Sequence, residues 1–495
     1  MSAPTEQGPA KTTILRARWV LAHRDDDHRL LTDGEVRVEG DRIAAYGGRG
    51  ELGEADEVID LGDAVLMPGF VDLDALGDID HAVLDSWHSP EHAALLQWSE
   101  RHATSDHDHV LDETERASMR RFAFAQLLLH GVTTAMPIAS EVHGEWAETF
   151  GDAVAMAEEA DRLGLRVYLG PSYRSGVPVR TASGDVEVHW NEAKGEEGFA
   201  DAVRFLDWVE AERSPLVRGA LLPCRIETMT EELLTRTAEV GRERDVPVRL
   251  HALQGVGELR MLRERGTTPV DLMERTGLLN DRLLVPHGIY TDENPAAQPG
   301  GGSVSALADA GVAVIHCPLT SAHYGAALRS FDAYRAAGVR IALGTDSFPP
   351  DMFRGMDMGS SIAKILAGRL DAGAHADYVR AATVGGADAL RRPDLGRIEP
   401  GAQADLIAIR LDDQRDGVID DPIRSMIQHT TARAVDLTMV AGVVRVREGA
   451  IVGTDMTALR AEAQRLFRKL RSGYAARTEV PVSEDALFPG AFPSV

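Results

Sequence analysis

The chain has 495 residues, 44% of them hydrophobic, and a formal net charge of −26. This length predicts a large domain accompanied by a smaller one. The negative charge argues against nucleic acid or an anionic membrane as a partner, because both repel a polyanion. No stretch reaches the roughly 20 apolar residues of a membrane helix. The only cysteines, Cys224 and Cys317, make no disulfide framework, so the sequence predicts a cytoplasmic protein.

The first segment has the pattern of a small β domain. Residues 12–22 alternate between apolar and polar side chains, and residues 34–47 have the pattern of a hairpin around Gly40 and Asp41. Residues 58–61 form another short strand pattern. The segment 1–67 is therefore predicted to be the N-terminal part of a β-sandwich.

From Pro68 the pattern changes to strand, loop and helix, repeated. Eight apolar strand-like runs end near residues 74, 136, 170, 223, 251, 287, 316 and 346. Strands that alternate with helices are typical of parallel sheets, and eight such units predict a (β/α)₈ TIM barrel over residues 68–395. The predicted class is thus α/β.

Strand patterns return after the barrel, at residues 396–409 and 439–449. We predict that the segment 396–452 completes the sheet begun by residues 12–67, so that both chain ends build one composite β-sandwich. Residues 453–495 are predicted to form a C-terminal amphipathic helix and a tail that is disordered or clasps a partner subunit.

Three polar side chains end barrel strands: His251, His287 and Asp346. The C-terminal ends of barrel strands face one mouth, where such barrels carry their chemistry. These residues are therefore predicted to share a functional site. His316 also ends a strand, and we interpret it as a structural residue below the mouth.

Several motifs occur in a characteristic order: Pro68-Gly69-Phe70-Val71-Asp72, His130-Gly131-Val132-Thr133-Thr134, His316-Cys317-Pro318, Gly344-Thr345-Asp346, and the segment 396–405. Together they resemble the amidohydrolase superfamily, in particular its branch of cytosine-deaminase-like enzymes and triazine hydrolases. The resemblance implies a hydrolase that uses an activated water. The expected target is a C–N or C–Cl bond of a small polar or heterocyclic compound, and the expected assembly is a homodimer.

The sequence departs from that family at two places. The family's first strand ends in His-x-His, a pair that binds the metal, whereas this chain has Asp74 and Leu76 there. A glutamate that moves protons often lies three residues after the fifth-strand histidine, and here that residue is Gln254. Glutamine forms hydrogen bonds but exchanges no proton at neutral pH.

Three interpretations of the altered first strand stay open. In the first, one divalent Zn, Fe or Mn ion binds to Asp74, His251 and Asp346, with His287 as a fourth candidate. In the second, no metal binds and His251, His287 and Asp346 perform acid–base chemistry, as in a lyase, isomerase or lactone hydrolase. In the third, the chain is a binding relative without catalysis.

Further mouth residues are predicted to contact substrate: Gln254, Arg174, Arg225, Glu227 and Phe348. Arg225 and Glu227 are expected either to form a buried ion pair or to bind a polar substrate, and Phe348 is expected to form an apolar wall. Asp78, Asp80 and His81 follow the first strand. The two carboxylates are interpreted as solvated loop residues that cap the next helix, in preference to the alternative that Gly77 bends the strand and directs them into the mouth.

Overall fold

The computed structural model describes residues 11–79, 89, 91, 95–105, 109–139, 146–212, 214–297, 302–329 and 331–492. Within these ranges, strands from both chain ends form one nine-stranded sheet. Its strands are Thr12–Arg24, Asp27–Glu39, Arg42–Gly48, Glu57–Asp60, Ala64–Pro68, Leu406–Arg410, Val435–Val440, Val443–Arg447 and Ala450–Ile451.

The two chain ends meet at one strand pair of this sheet. Ala64–Pro68 runs antiparallel to Leu406–Arg410 on one side and parallel to the first strand on the other. Residues from both ends fill a separate apolar core, among them Leu15, Val36 and Leu437. The predicted hairpin over residues 34–47 is confirmed by the pairing of the second and third strands.

The barrel consists of eight parallel strands in the described part of the chain, in two groups of four. They are Phe70–Leu76, Val132–Ile138, Arg166–Leu169, Val217–Gly219, Val248–Arg249, Leu283–Pro286, Ala313–His316 and Arg340–Leu343. A parallel bridge between Leu221 and Val248 joins the groups on one side. On the other side, the Asp346 amide donates to the Asp74 carbonyl at 2.8 Å. The predicted barrel with a composite β domain is thereby confirmed.

Two barrel strands are shorter than their apolar runs. The fourth covers Val217–Gly219 where the sequence predicts residues 219–223, and the fifth covers Val248–Arg249 where it predicts residues 246–251. The fourth run resumes pairing at Leu222–Pro223, which runs parallel to Ser172–Tyr173. In the fifth run Pro247 has no N–H to donate to a neighbouring strand, and its carbonyl accepts from the Leu221 amide at 3.0 Å.

Helices alternate with the barrel strands and cover them. The helices of the described residues are Glu100–Ala103, Glu113–Leu129, Phe150–Leu163, Glu192–Glu212, Glu231–Glu243, Val256–Glu264, Pro269–Arg275, Val304–Asp309, Pro318–His323, Phe331–Ala336, Met352–Ala367, His375–Arg380, Gly386–Ala389, Pro422–His429, Met456–Gly473 and Glu484–Leu487. None of them is both long and apolar enough to cross a lipid bilayer.

A buried ion pair fixes the β domain against the barrel. Arg166 on the third barrel strand donates to both carboxylate oxygens of Asp405, at 3.0 and 3.1 Å, and to Gln403 at 2.8 Å. Both charged side chains are 3% exposed. Asp405 also accepts from the Ala441 amide at 2.7 Å. These contacts give the aspartate of the 396–405 motif a structural role, because a bidentate pair sets orientation as well as energy.

Two features beyond the barrel differ from expectation. A hairpin of Gly176–Arg180 and Val186–Trp190 follows the third strand, and its alternating pattern around Gly184 is a signal that the sequence analysis passed over. The described part of the tail packs on its own chain, since Phe488 is buried against Tyr474 with ring centroids 5.7 Å apart. For the residues through 492 this packing argues against the first of the two predicted alternatives, a disordered tail, and the second, that the tail clasps a partner subunit, stays a prediction.

Candidate metal centre

The first barrel strand places Asp74 in the barrel interior with no solvent exposure. A glycine is required opposite it: a Cβ on Gly344 would lie 2.6 Å from the Asp74 Cβ and 3.0 Å from the Cys317 sulfur. Asp72, two residues earlier, accepts from the Thr345 amide at 3.0 Å and from its hydroxyl at 2.6 Å. The first and eighth strands are thereby held together at the carboxylate, and burial raises the pKa of Asp72 to about 6.

Asp74, His251 and His287 form the one cluster of metal-ligand side chains in the described part of the chain, with donor atoms all within 4.8 Å of one another. Asp74 Oδ1 lies 3.5 Å from His251 Nε2, and Asp74 Oδ2 lies 3.9 Å from His287 Nε2. All three residues are buried. One carboxylate and two imidazoles are a legitimate set for a divalent ion that keeps a position open for water.

The hydrogen bonding of these atoms tests whether the cluster fits a cation. Asp74 Oδ1 and His287 Nε2 are both buried and have no hydrogen-bond partner. Buried polar atoms are normally satisfied, so two such atoms in one cluster require an explanation. A bound cation would satisfy both, because each presents a lone pair. The residues of this cluster therefore fit a divalent metal ion.

Each histidine is prepared to offer a lone pair. His251 Nδ1 lies 2.9 Å from the Cys224 carbonyl; since a carbonyl only accepts, Nδ1 carries the proton and Nε2 is left to face Asp74. Burial lowers the pKa of His287 to about 3 despite the opposing charge of Asp74, so its ring is neutral at pH 7. Burial also opposes ionisation of Asp74, but the positive charges of His251, when its ring is protonated, and of Arg249 outweigh it and hold the pKa of Asp74 below its usual range; a bound cation would take the place of the His251 proton.

Asp346 lies at the edge of the cluster. Its Oδ2 is 3.7 Å from His287 Nε2, and its side chain is 10% exposed, unlike the fully buried Asp74. Both Asp346 and His287 have left-handed backbone, with φ of 41° and 67°. Such conformations are strained for residues with side chains and concentrate at functional sites. The four predicted residues therefore lie together, but the metal-ligand cluster contains His287, which was only a fourth candidate, instead of the predicted ligand Asp346. Asp346 lies beside it and nearest the solvent.

The residues after Asp74 differ from a histidine pair. Leu76 is 2% exposed and pairs in register with Ile138 of the second strand, so it contributes packing and no lone pair. Asp78 is fully buried and is engaged by other groups of the protein. Its interpretation as a solvated loop residue was wrong, because the chain turns inward after Gly77, whose amide donates to the Ile138 carbonyl at 2.5 Å. Asp80 and His81 lie outside the described residues.

Gln254 lies beside Arg225, which donates through Nη1 to its Oε1. Glu258 stabilises the turn that contains Gln254, because its carboxylate oxygens accept from the amides of Leu253 and Gln254 at 2.7 and 2.9 Å. Burial and the neighbouring charge of Glu227 raise the pKa of Glu258 to about 8. Arg225 therefore binds Gln254. Glu227, which is 7% exposed, lies near the Glu258 carboxylate.

The two remaining predicted substrate contacts lie farther out. Arg174 is 6% exposed and directly precedes the hairpin that begins at Gly176. Phe348 packs on Phe122 with ring centroids 6.0 Å apart and lines a cavity of about 660 Å³ beside the C-terminal helix. Their roles stay predictions. His316 stacks near Phe331 and Tyr378, at 5.9 and 6.1 Å, and lies outside the metal-ligand cluster.

Sequence reasoning missed one residue of the centre, Arg249. Its Nη1 lies 3.7 Å from Asp74 Oδ1, and its guanidinium donates to the carbonyls of Met136 and Pro137 at 2.6 and 3.4 Å. A usable signal existed: Arg249 precedes His251 by two residues, and alternate residues of a strand share a face. His251 and Arg249 therefore lie on the same face of the fifth strand, with His251 at the mouth and Arg249 deeper in the barrel.

Comparison with known proteins identifies the family. Residues 65–445 match the model of the Amidohydrolase family. Since this range covers most of the 495 residues, the chain belongs to the amidohydrolase family, as its motifs indicated.

Curated relatives match two thirds or more of the chain. The 5-methylthioadenosine/S-adenosylhomocysteine deaminase of Halobacterium salinarum is 27% identical over 447 residues, which cover 88% of this chain and 93% of that protein. The 8-oxoguanine deaminase of Pseudomonas aeruginosa is 29% identical over 345 residues, covering 68% and 73%.

Solved structures share the fold. An adenosine deaminase from Xanthomonas campestris with bound zinc superposes with a TM-score of 0.74 at 23% identity, covering 93% of this chain and 98% of that one. The atrazine chlorohydrolase of Arthrobacter aurescens, complexed with zinc, gives 0.72 at 22% identity, covering 92% and 100%. Membership of the amidohydrolase family confirms the predicted class, a hydrolase, and the curated relatives named above are deaminases.

Proposed function

We propose that this protein is a metal-dependent hydrolase that replaces an amino group on the ring of a small heterocyclic compound with a hydroxyl from water, releasing ammonia. The observation that carries the proposal is the buried cluster of Asp74, His251 and His287, in which two polar atoms lack any hydrogen bond. Aminopurine derivatives are the favoured substrate class, because deaminases of such compounds are relatives over most of the chain.

The proposed roles follow from position. Asp74, His251 and His287 would hold the ion, which would be Zn, Fe or Mn. When bound, such an ion lowers the pKa of a water molecule and so supplies a nucleophile at neutral pH. Asp346 is the residue that accepts the proton of the attacking water at Oδ2, because it is more exposed than the Asp74 carboxylate. The chain's own contribution is to orient these groups and to exclude other water.

Gln254 and Arg225 are proposed to bind the substrate ring. An amide and a guanidinium offer donors and an acceptor that match the ring nitrogens of a purine. Gln254 occupies the position where the family pattern often has a proton-moving glutamate, so Asp346 is left to manage proton transfer. We also infer a homodimer in the cytoplasm, which static light scattering and cell fractionation test directly.

A second candidate is metal-free acid–base chemistry by His251, His287 and Asp346. The observation that favours it is Arg249, which already places a positive charge 3.7 Å from Asp74 Oδ1. In that case the carboxylate is neutralised without an ion.

Purified protein incubated with a panel of aminopurines and their nucleosides distinguishes the two. Ammonia release should occur with at least one compound, should vanish after exhaustive chelation, and should return with added Zn²⁺, Mn²⁺ or Fe²⁺. Unchanged turnover after chelation, with no metal by elemental analysis, would show that the metal-dependent proposal is wrong.

A further inference from the structure

The fifth barrel strand carries a buried permanent cation next to the metal-ligand cluster. Arg249 is 2% exposed, and an arginine stays protonated in proteins. Its hydrogen bonds to the carbonyls of Met136 and Pro137 fix the guanidinium in place but do not neutralise it. Among the ion pairs of the described residues, its carboxylate partner is Asp74, at 3.7 Å. A charge buried this deeply is costly unless an opposite charge compensates it.

The same carboxylate is the residue that replaces a histidine in the first-strand motif. A carboxylate in place of an imidazole makes the ligand set more negative by one charge, and a more negative set binds a divalent ion more tightly and reduces its pull on a bound water. Arg249 adds one positive charge at the place where the extra negative charge lies. The charges of Asp74 and Arg249 therefore cancel, and the centre with its ion has the same net charge as a centre with a neutral histidine at position 74 and no arginine.

We propose that Arg249 is the charge-compensating partner of Asp74, and that this pair performs the electrostatic task of the first-strand histidine in the metal site. The inference rests on the proposed metal-dependent function. The competing explanation gives Arg249 a mechanical task only, that of bracing the second strand through the Met136 and Pro137 carbonyls.

A double-mutant cycle separates the two, with Zn²⁺ itself as the probe. The variants are Arg249→Met, Asp74→His and both together, and the zinc dissociation constant of each metal-stripped protein is measured at pH 7.5 by competition with a chromogenic chelator. Compensation predicts at least about tenfold tighter binding for Arg249→Met and at least about tenfold weaker binding for Asp74→His, since an unopposed charge then lies within a few ångströms of the ion. The double variant should return to within about threefold of the wild type.

Arg249→Lys is the matched control. It keeps the charge and loses the planar fork of donors, so compensation predicts near wild-type zinc affinity, whereas bracing predicts the same loss of thermal stability as Arg249→Met. If Arg249→Met does not fold, Asp74→His and Arg249→Lys still decide the question. Zinc affinity that Asp74→His leaves unchanged or tightens overturns the proposal.

Failure of this inference is distinguishable from failure of the proposed function. If the wild type binds zinc but Arg249→Met leaves the zinc affinity unchanged or weakens it in both the wild-type and the Asp74→His backgrounds, Arg249 is a brace and only the compensation is overturned. If the wild type binds neither Zn²⁺, Mn²⁺ nor Fe²⁺ and still turns over substrate, the metal-dependent function itself fails.

Discussion

The two halves of the barrel contribute unequally to its centre. The first four strands provide one member of the cluster, Asp74, and follow it with the apolar Leu76. The last four provide His251 and His287, whose donor atoms lie within 4.8 Å of the Asp74 carboxylate, and carry Arg249 and Asp346 beside them. This chain therefore departs from the family pattern most in the first half, at the metal-binding motif of the first strand, and less in the second half.

The two halves are nevertheless tied together next to Asp74, because the amide and hydroxyl of Thr345 on the eighth-strand side donate to Asp72 of the first strand. Substitutions in each half of the barrel test how much that half contributes to activity and to metal binding.

The largest effect is expected from Asp346→Asn in the second half. The amide keeps the shape of the carboxylate but accepts no proton, so turnover should fall by about 1000-fold or more. The backbone bond from residue 346 to the Asp74 carbonyl is unchanged, so thermal stability should stay near that of the wild type. Asp420→Asn, at a carboxylate that is 96% exposed, is the matched control and should keep full activity. Retention of more than about a tenth of the rate in Asp346→Asn would remove Asp346 from the mechanism.

A smaller effect is expected from a paired comparison of two buried histidines. His287 and His316 end neighbouring strands, and burial lowers the pKa of both to about 3. Only His287 belongs to the cluster. His287→Gln should therefore weaken zinc binding roughly 100-fold, on the scale of perturbed metal sites, while His316→Gln should leave it unchanged. Equal losses of affinity in the two variants would mean that the cluster is not the metal site.

Restoring one residue of the family pattern should moderately increase the rate of ammonia release. Gln254→Glu places a group that exchanges protons beside Arg225. We expect the rate of ammonia release to rise by about tenfold, because positioned proton transfer is worth at least that much. Gln126→Glu, on the helix Glu113–Leu129, is the control for added negative charge. A slower Gln254→Glu enzyme would indicate that Gln254 binds substrate through its amide donor.

The smallest effect concerns stability and pH. Burial and the charge of Glu227 raise the pKa of Glu258 from 4.5 to about 8, so the folded protein retains a proton that the unfolded chain loses. This contribution to stability is complete below about pH 4.5 and is lost as the pH rises through about 8, with a slope of up to about 1.4 kcal/mol per pH unit for one proton. Glu227→Gln should flatten the decline in the free energy of unfolding between these values, as urea titrations of metal-free protein would measure. An unchanged slope would show that the two carboxylates do not interact.

The sequence predicted the barrel and much of its centre because both depend on periodic features. Strand-end positions identify His251, His287 and Asp346, since every parallel strand delivers its last residues to the same mouth. The family motif located Asp74. The direction of Phe348 and the pairing of Arg225 with Gln254 were not predictable in this way, because they depend on loop backbone such as the left-handed Leu253, with φ of 59°. Arg249 was predictable in principle from strand parity alone.

The strand pair between Ala64–Pro68 and Leu406–Arg410 has a consequence for biosynthesis. Every residue of the first strand is buried, yet its partner is translated about 340 residues later. At the usual 5–20 residues per second, the ribosome needs roughly 17–70 s to deliver that partner. Throughout this interval an apolar strand edge of the nascent chain is open to pairing with other polypeptides. The yield of soluble protein should therefore depend on chaperones that bind nascent chains more strongly than its final stability suggests.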